Sequence, residues 1–122
     1  MSNLVEAARF EAAGDLRVMS VGGEAAGEQA CALVLQEDIS GPSVLVGHGA
    51  EAARLKMSVA PSGRVKLIRA VAELFGARSL TELAAREDID ILDVMDLCDR
   101  EQISYEFSCV DSNEDAALRP AR

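Results

Sequence analysis

Residues 79–100 read SLTELAAREDIDILDVMDLCDR and predict two short helices joined by a tight turn. Ser79 and Glu82 have the spacing of a capping box, in which the serine hydroxyl accepts a hydrogen bond from the backbone N–H of residue 82. Asp90 is placed to cap the second helix. The apolar side of that helix recurs at helical spacing and consists of Ile91, Val94, Met95 and Cys98.

The other side of the second helix carries a ladder of acidic residues at every third position. Leu97 lies among these aspartates, so we expect it to be at least partly exposed. A one-sided acidic helix attracts basic proteins over long distances, and the attraction weakens with salt. We therefore predict a partner-binding face composed of Asp90, Asp93, Asp96, Leu97, Asp99 and Glu101.

The two helices also resemble a helix-turn-helix over residues 79–100. Ala84 stands at the small position of the first helix, and Asp88 replaces the turn glycine. Ile89, Val94 and Leu97 stand at the apolar core positions. The resemblance implies DNA binding, yet the positions that would face DNA include no basic residue and several that share the charge of phosphate. These positions are Asp90, Ile91, Leu92, Asp93 and Asp96.

Charge is divided between two adjacent segments. Residues 54–78 carry six basic residues against Glu73, whereas residues 79–115 carry twelve acidic residues against two arginines. Opposite charges in neighbouring segments can simply screen each other on solvated faces. If the helix-turn-helix does bind DNA, the basic segment supplies its phosphate contacts. The residues concerned are Arg54, Lys56, Arg64, Lys66, Arg69 and Arg78.

The composition indicates an acidic protein with an aliphatic core. The 122 residues are 49% hydrophobic but only 3% aromatic, which is enough for one buried core without large rings. The net charge of −9 opposes nonspecific binding to nucleic acid or anionic membranes. Arginine outnumbers lysine and alanine is abundant, which is typical of a GC-rich bacterial genome. The N-terminal residues lack the pattern of a signal peptide, so we expect a cytoplasmic protein.

The sequence offers little catalytic chemistry. His48 is the only histidine, and Gly47-His48-Gly49 after an apolar run is a weak candidate for binding an anion. The glycine-rich residues 22–27 lack the Lys and Ser/Thr of a P-loop and are read as a flexible connection. The cysteines have no metal-ligand spacing and lie in apolar runs, as buried thiols do. The three cysteines are Cys31, Cys98 and Cys109. We predict no enzymatic activity, no metal and no cofactor.

The predicted fold is α+β over residues 1–110, with a mostly antiparallel sheet of about four to five short strands. Residues 15–60 are sheet-rich, residues 62–101 are helical, and residues 103–110 form a strand. The three helices should form a C-terminal, winged-helix-like unit. Residues 50–57 fit helix or strand, and we choose a strand at 54–59. The other predicted elements are a helix at 3–13, strands at 15–21, 30–35, 43–46 and 103–109, a helix from Ser62 to Phe75 ended by Gly76, and a frayed tail at 111–122.

These features favour a small acidic cytoplasmic module that binds a basic protein partner. Such a module would act as a regulator, an adaptor or an inhibitor of the immunity type. One alternative is a DNA-binding transcriptional regulator, and another is an acidic protein that imitates DNA and occupies a nucleic-acid-binding protein. A third is a small-ligand or enzyme role centred on Gly47-His48-Gly49. We expect no membrane partner, and a homodimer is compatible with the sequence.

Overall fold

A computed structural model describes residues 4–111 and 116–119 of the chain. The strands are β1 (Leu4–Ala12), β2 (Asp15–Gly22), β3 (Leu33–Ser40), β4 (Ala52–Val59), β5 (Glu106–Asp111) and β6 (Ala116–Arg119). The helices are α1 (Pro42–His48), α2 (Pro61–Phe75), α3 (Leu80–Ala84) and α4 (Ile91–Glu101).

The described strands form one antiparallel sheet in the order β1-β2-β3-β4-β5-β6, so that each strand pairs with its neighbour in sequence. The predicted α+β class and antiparallel pairing are confirmed. The predicted C-terminal winged-helix-like unit is not supported, because the helices are interspersed among the strands. Helix α1 lies between β3 and β4, and helices α2 to α4 lie between β4 and β5.

The helices cover one face of the sheet and leave the other face open. Strand β4 shows this most clearly, because Leu55 and Met57 are buried whereas Arg54 and Lys56 alternate with them and are exposed. The core between the sheet and the helices is largely aliphatic, as the composition indicates. Its most deeply buried side chains include Met19, Leu33, Leu35, Met57, Leu67, Leu83, Ile91, Met95 and Tyr105.

The helix predicted over residues 3–13 is wrong, because this segment is the edge strand β1. A β-bulge at Ala7 shifts the alternation of side chains between the two faces of the sheet, and the shifted pattern imitates helical spacing. Phe10 lies opposite Arg17 of β2 on the face that the helices cover. Ala13 and Gly14 form the tight hairpin turn between β1 and β2, and both have positive φ, at 53° and 85°.

The strand predicted over residues 43–46 is also wrong, because these residues belong to α1. Pro42 occupies the first turn, where its fixed φ suits a helix. The backbone N–H of Ser43 donates to the Asp15 carboxylate at 3.0 Å, which satisfies a free donor of the first turn. Gly49 ends the helix in the left-handed conformation, with φ of 72°.

Two other strands are shifted along the chain from their predicted positions. The strand predicted at 30–35 is found at Leu33–Ser40, and the one predicted at 103–109 is found at Glu106–Asp111. Ile103 is buried ahead of β5 rather than within a strand. In the predicted frayed tail, 111–122, Asp111 ends β5 and Ala116–Arg119 form β6, while the rest lies outside the described residues.

Several predictions based on local sequence signals are confirmed. Strands were expected at 15–21 and 54–59, and they are found at Asp15–Gly22 and Ala52–Val59. Helix α2 ends at Gly76 with φ of 66°, although Ala60 rather than Ser62 is its N-cap. The Ser79 hydroxyl accepts a hydrogen bond from the Glu82 backbone N–H at 3.0 Å, which confirms one half of the predicted capping box; within the described residues the Glu82 side chain does not return a hydrogen bond to Ser79.

The loop that follows β2 is fixed to the helical layer and is not a free connection. The Glu24 carboxylate accepts hydrogen bonds from the backbone N–H groups of Leu80 and Thr81, at 2.6 and 2.9 Å, and so caps α3 from a distant part of the chain. Arg64 of α2 donates to the carbonyl oxygen of Gly23 and to two further carbonyls of the same loop. The loop therefore holds α2 and α3 in place relative to the sheet.

Helix α4 begins with a reciprocal capping box. The Asp90 carboxylate accepts from the backbone N–H of Asp93 at 3.0 Å, and the Asp93 carboxylate accepts from the backbone N–H of Asp90 at 2.9 Å. Two aspartates of the predicted binding face therefore stabilise the start of the helix.

We expect Asp90→Ala to lower the free energy of unfolding by about 1 kcal/mol, because it removes an N-cap acceptor. Asp96→Ala is the matched control: this residue is exposed on the same helix, and its loss should change stability by less than about 0.5 kcal/mol. Urea denaturation followed by circular dichroism measures both values. Equal effects of the two substitutions would contradict the capping role of Asp90.

Candidate functional site

Three aspartates of the predicted partner-binding face, Asp93, Asp96 and Asp99, lie on the outward side of α4. Asp96 is exposed and, within the described residues, forms no hydrogen bond or ion pair. Asp93 and Asp99 are half-buried on either side of it, and Leu92 has 51% of its surface exposed. We call the set Leu92, Asp93, Asp96 and Asp99 the acidic face of α4.

The predicted exposure of Leu97 is wrong, since only 5% of its surface is accessible and it belongs to the core. The helical periodicity places Leu97 at the flank of the apolar stripe, and packing against neighbouring elements widens that stripe enough to bury it. Leu92 is the apolar residue that lies beside the exposed aspartate. Sequence reasoning placed Leu92 only among the possible DNA-facing positions and did not include it in the protein-binding face.

The remaining predicted members of this face have partners within the helix. Asp90 belongs to the capping box, and Glu101 lies 3.9 Å from the guanidinium of Arg100. Arg100 is itself exposed and places one positive charge at the C-terminal end of α4, where it complements the helix dipole. Of the predicted face, Asp96 is therefore the carboxylate that is both exposed and without a partner within the described residues.

The N-terminal end of α4 is held on the covered face of the sheet by two charged side chains. The backbone N–H of Ile91 donates to the Glu37 carboxylate of β3 at 3.2 Å. Arg17 of β2 donates to the carbonyl oxygens of Ile89 and Glu87, at 2.7 and 2.6 Å. The same guanidinium lies 3.8 Å from the Glu37 carboxylate. These contacts fix the segment that leads into α4 and therefore fix the direction of the acidic face.

Burial raises the pKa of Glu37 above its ordinary value. The hydrogen bond from Ile91 and the positive charge of Arg17 oppose this rise, whereas the negative charges of Asp90 and Asp93 add to it. The Glu37 carboxyl thus accepts the first N–H of α4 while its buried environment favours the protonated form.

The packed start of α4 also bears on the helix-turn-helix resemblance. A recognition helix of that motif places its N-terminal residues against base edges in the major groove. Here Ile91 is fully buried and its N–H is bonded to Glu37. The first residue of the helix that would read DNA is thus packed against the protein's own sheet, whereas Leu92 and Asp96 remain exposed.

The six basic residues of the alternative DNA site do not lie together. Arg54 and Lys56 project from the open face of the sheet, and Arg54 forms an ion pair with Asp38 at 2.7 Å. The remaining four lie on or beside α2, which packs against the opposite face. Of these, Arg64 is engaged with loop carbonyls, Lys66 and Arg69 are exposed, and Arg78 lies 4.0 Å from Glu82.

Gly47-His48-Gly49 was expected to follow a strand, but this segment lies at the C-terminal end of α1. The last turn of a helix presents carbonyl oxygens rather than N–H groups, so this position does not favour an anion. The side chain of His48 lies outside the described part of the structure. Among the residues described, no cluster of His, Cys, Asp or Glu could hold a metal ion, and no helix has both the length and the hydropathy needed to cross a bilayer.

The three cysteines are free thiols in the structure. Cys98 is fully buried on α4, and burial raises the pKa of its thiol to about 12. Burial also raises the pKa of Cys109 on β5, whereas Cys31 is half-buried in the loop after β2. A buried thiol of high pKa is a poor nucleophile, so Cys98 acts as a packing residue.

Comparison with known proteins finds no protein-family model, no curated protein and no solved structure that matches this chain. The functional argument therefore depends on the geometry described above.

The difference in stability between the wild type and Glu37→Gln should depend on pH. Glutamine retains an oxygen acceptor for the Ile91 N–H but does not ionise. Because the pKa of Glu37 is raised in the folded state, the ionised carboxylate destabilises the fold at neutral pH, and protonation relieves this cost as the pH falls. We expect the wild type to gain stability relative to the variant as the pH falls from neutral towards the ordinary pKa of a glutamate. Urea denaturation at several pH values measures the difference, and a difference independent of pH would refute the coupling.

The rate at which a thiol reagent modifies Cys98 should be limited by transient unfolding that exposes this buried side chain. We expect a thiol reagent such as DTNB at mildly alkaline pH to modify Cys31 first, because burial raises the pKa of both Cys98 and Cys109. Cys98→Ala should leave the fast phase of labelling unchanged, whereas Cys31→Ala should remove it. Rapid labelling of Cys98 in the folded protein would contradict its burial.

Proposed function

We propose that this protein is a small binding module that docks a basic protein partner on the acidic face of α4. The observation that carries the proposal is the exposed Asp96 beside the exposed Leu92, on a helix whose N-terminal end is fixed to the sheet. A charged residue attracts the partner and aligns it, and a neighbouring apolar residue adds contact area once water is excluded. The role is that of a cytoplasmic regulator, adaptor or inhibitor and requires no chemistry of its own.

The overall charge supports the same assignment. A net charge of −9 produces a negative potential around the molecule, which accelerates encounter with a basic partner and repels nucleic acid. The fixed start of α4 also means that little ordering is needed when a partner arrives, and preorganisation of this kind favours affinity.

The DNA-binding alternative receives less support from the geometry. Its basic residues are divided between two faces of the sheet, and one of them, Arg64, is already bonded to loop carbonyls. A phosphate track needs several free cations on one surface, because affinity grows with the number of phosphates neutralised.

Charge reversal at Asp96 should weaken the binding of a basic peptide. The probe is a short fluorescein-labelled peptide of lysines with one central tryptophan, titrated at low salt and followed by fluorescence anisotropy. We expect Asp96→Lys to reduce the affinity by about fivefold, since one attractive contact becomes repulsive. Glu106→Lys is the matched control, because it changes the net charge equally but lies on the open face of the sheet.

Equal effects of the two reversals would show that the peptide senses only net charge, and the proposed site would be wrong. A labelled random DNA duplex is titrated in parallel under the same conditions. Micromolar DNA binding that weakens steeply with salt would instead favour the helix-turn-helix alternative.

A further inference from the structure

A cleft of about 460 Å³ opens where the β1–β2 hairpin meets α1 and the segment before α4. Its volume is within the range of sites that take a small ligand or one large side chain. The large apolar side chains of the lining are Phe10, Leu16, Ile39 and Val44.

The polar groups of the cleft do not form a site for an anion. Arg17 lines it, but its guanidinium donates to the carbonyls of Glu87 and Ile89 and stacks on the ring of Phe10 at 4.4 Å. The Glu37 carboxylate, 3.8 Å away, balances its charge. Arg17 therefore lines the cleft, but its hydrogen-bond donors and its positive charge are largely satisfied within the protein.

The rim of the cleft is acidic. Glu11 and Glu87 line it, are exposed, and form no side-chain ion pair within the described residues. Asp15 lies beside them and is half-buried, and its hydrogen bonds with Ser43 hold the pKa of its carboxyl below the ordinary value, so it carries a charge at neutral pH. An apolar floor within a ring of carboxylates is complementary to a large apolar side chain flanked by lysine or arginine.

We propose that this cleft receives a large apolar side chain, flanked by basic residues, from the partner that docks on α4. This inference rests on the proposed function and names the part of the partner that is bound. Glu87 lies in the segment that leads directly into α4, so the cleft and the acidic face are joined by a stretch of chain that Arg17 holds in place. The acidic face supplies long-range attraction, and the cleft supplies selectivity for the anchoring side chain.

Gly47 provides a direct way to fill the cleft. It lines the cleft within the last turn of α1, and a Cβ placed on it would meet no atom within 4 Å. Its φ is not in the positive range, so a side chain is tolerated there without backbone strain. Gly47→Phe should occupy the apolar space, and Gly47→Ala is the matched control that leaves most of the space open.

The test uses two short lysine-rich peptides that differ only in the central residue, tryptophan or serine, titrated at low salt by fluorescence anisotropy. With the wild type and Gly47→Ala, we expect the tryptophan peptide to bind about tenfold more tightly than the serine peptide, because a large apolar side chain is buried. With Gly47→Phe, we expect the two affinities to become equal while that of the serine peptide is unchanged. A third peptide, with glutamate in place of lysine, should not bind.

The outcomes separate the two proposals. If both lysine peptides bind the wild type equally, or if Gly47→Phe preserves the preference for tryptophan, the cleft is not the anchoring site. Sensitivity to Asp96→Lys would then still support docking on α4. If neither lysine peptide binds, the proposed function fails. Binding of the glutamate peptide would overturn the assignment of a basic partner.

A second measurement does not depend on the folding of the variant. In the ¹⁵N-labelled wild type, the tryptophan peptide should shift the backbone amide signals of Gly47 and Glu87 more than the serine peptide does. Signals from the open face of the sheet, such as that of Glu106, serve as the internal control. Equal shifts with both peptides at Gly47 and Glu87 would overturn the inference.

Discussion

The hydrogen bond between Glu37 and the first N–H of α4, with Arg17 beside it, is the contact on which the functional surface depends. Both charges lie on the covered face of the sheet, where an unpaired ion would be costly. The Glu37 carboxylate contacts the N-terminus of α4 and a nearby cation. The Arg17 guanidinium donates to two carbonyl oxygens and stacks on an aromatic ring. Through these contacts, the two side chains together fix where α4 starts and which of its sides faces outward.

The parts of this arrangement that rest on neighbouring residues could be predicted from the sequence. Ser79 and Asp90 were identified as caps because an N-cap side chain and the backbone N–H that donates to it are only three residues apart. The burial of Leu97 could not be predicted in this way. Periodicity gives the direction of a side chain around the helix axis, but the width of the buried stripe is set by whatever packs beside it.

Other features depend on residues that are far apart in sequence, and no local pattern marks them. Helix α1 owes part of its N-terminal stability to Asp15, and α3 is capped by Glu24 from the loop after β2. Strand β1 was missed because one bulged residue shifts its alternation, so that the pattern of apolar residues imitates helical spacing. The cleft could not be predicted either, because the residues that line it come from four separate parts of the chain.

The position of the three helices between β4 and β5 has a consequence for how the chain folds. The first four strands are joined by short connections, whereas pairing of β5 with β4 must close residues 60–105, at a larger cost in chain entropy. During synthesis β4 therefore emerges with an unpaired edge before its partner strand exists. Arg54 and Lys56 alternate along that edge strand, and charges at such positions discourage pairing with other nascent chains. Two basic residues with no place in the proposed binding site would thus protect an unfinished sheet from aggregation.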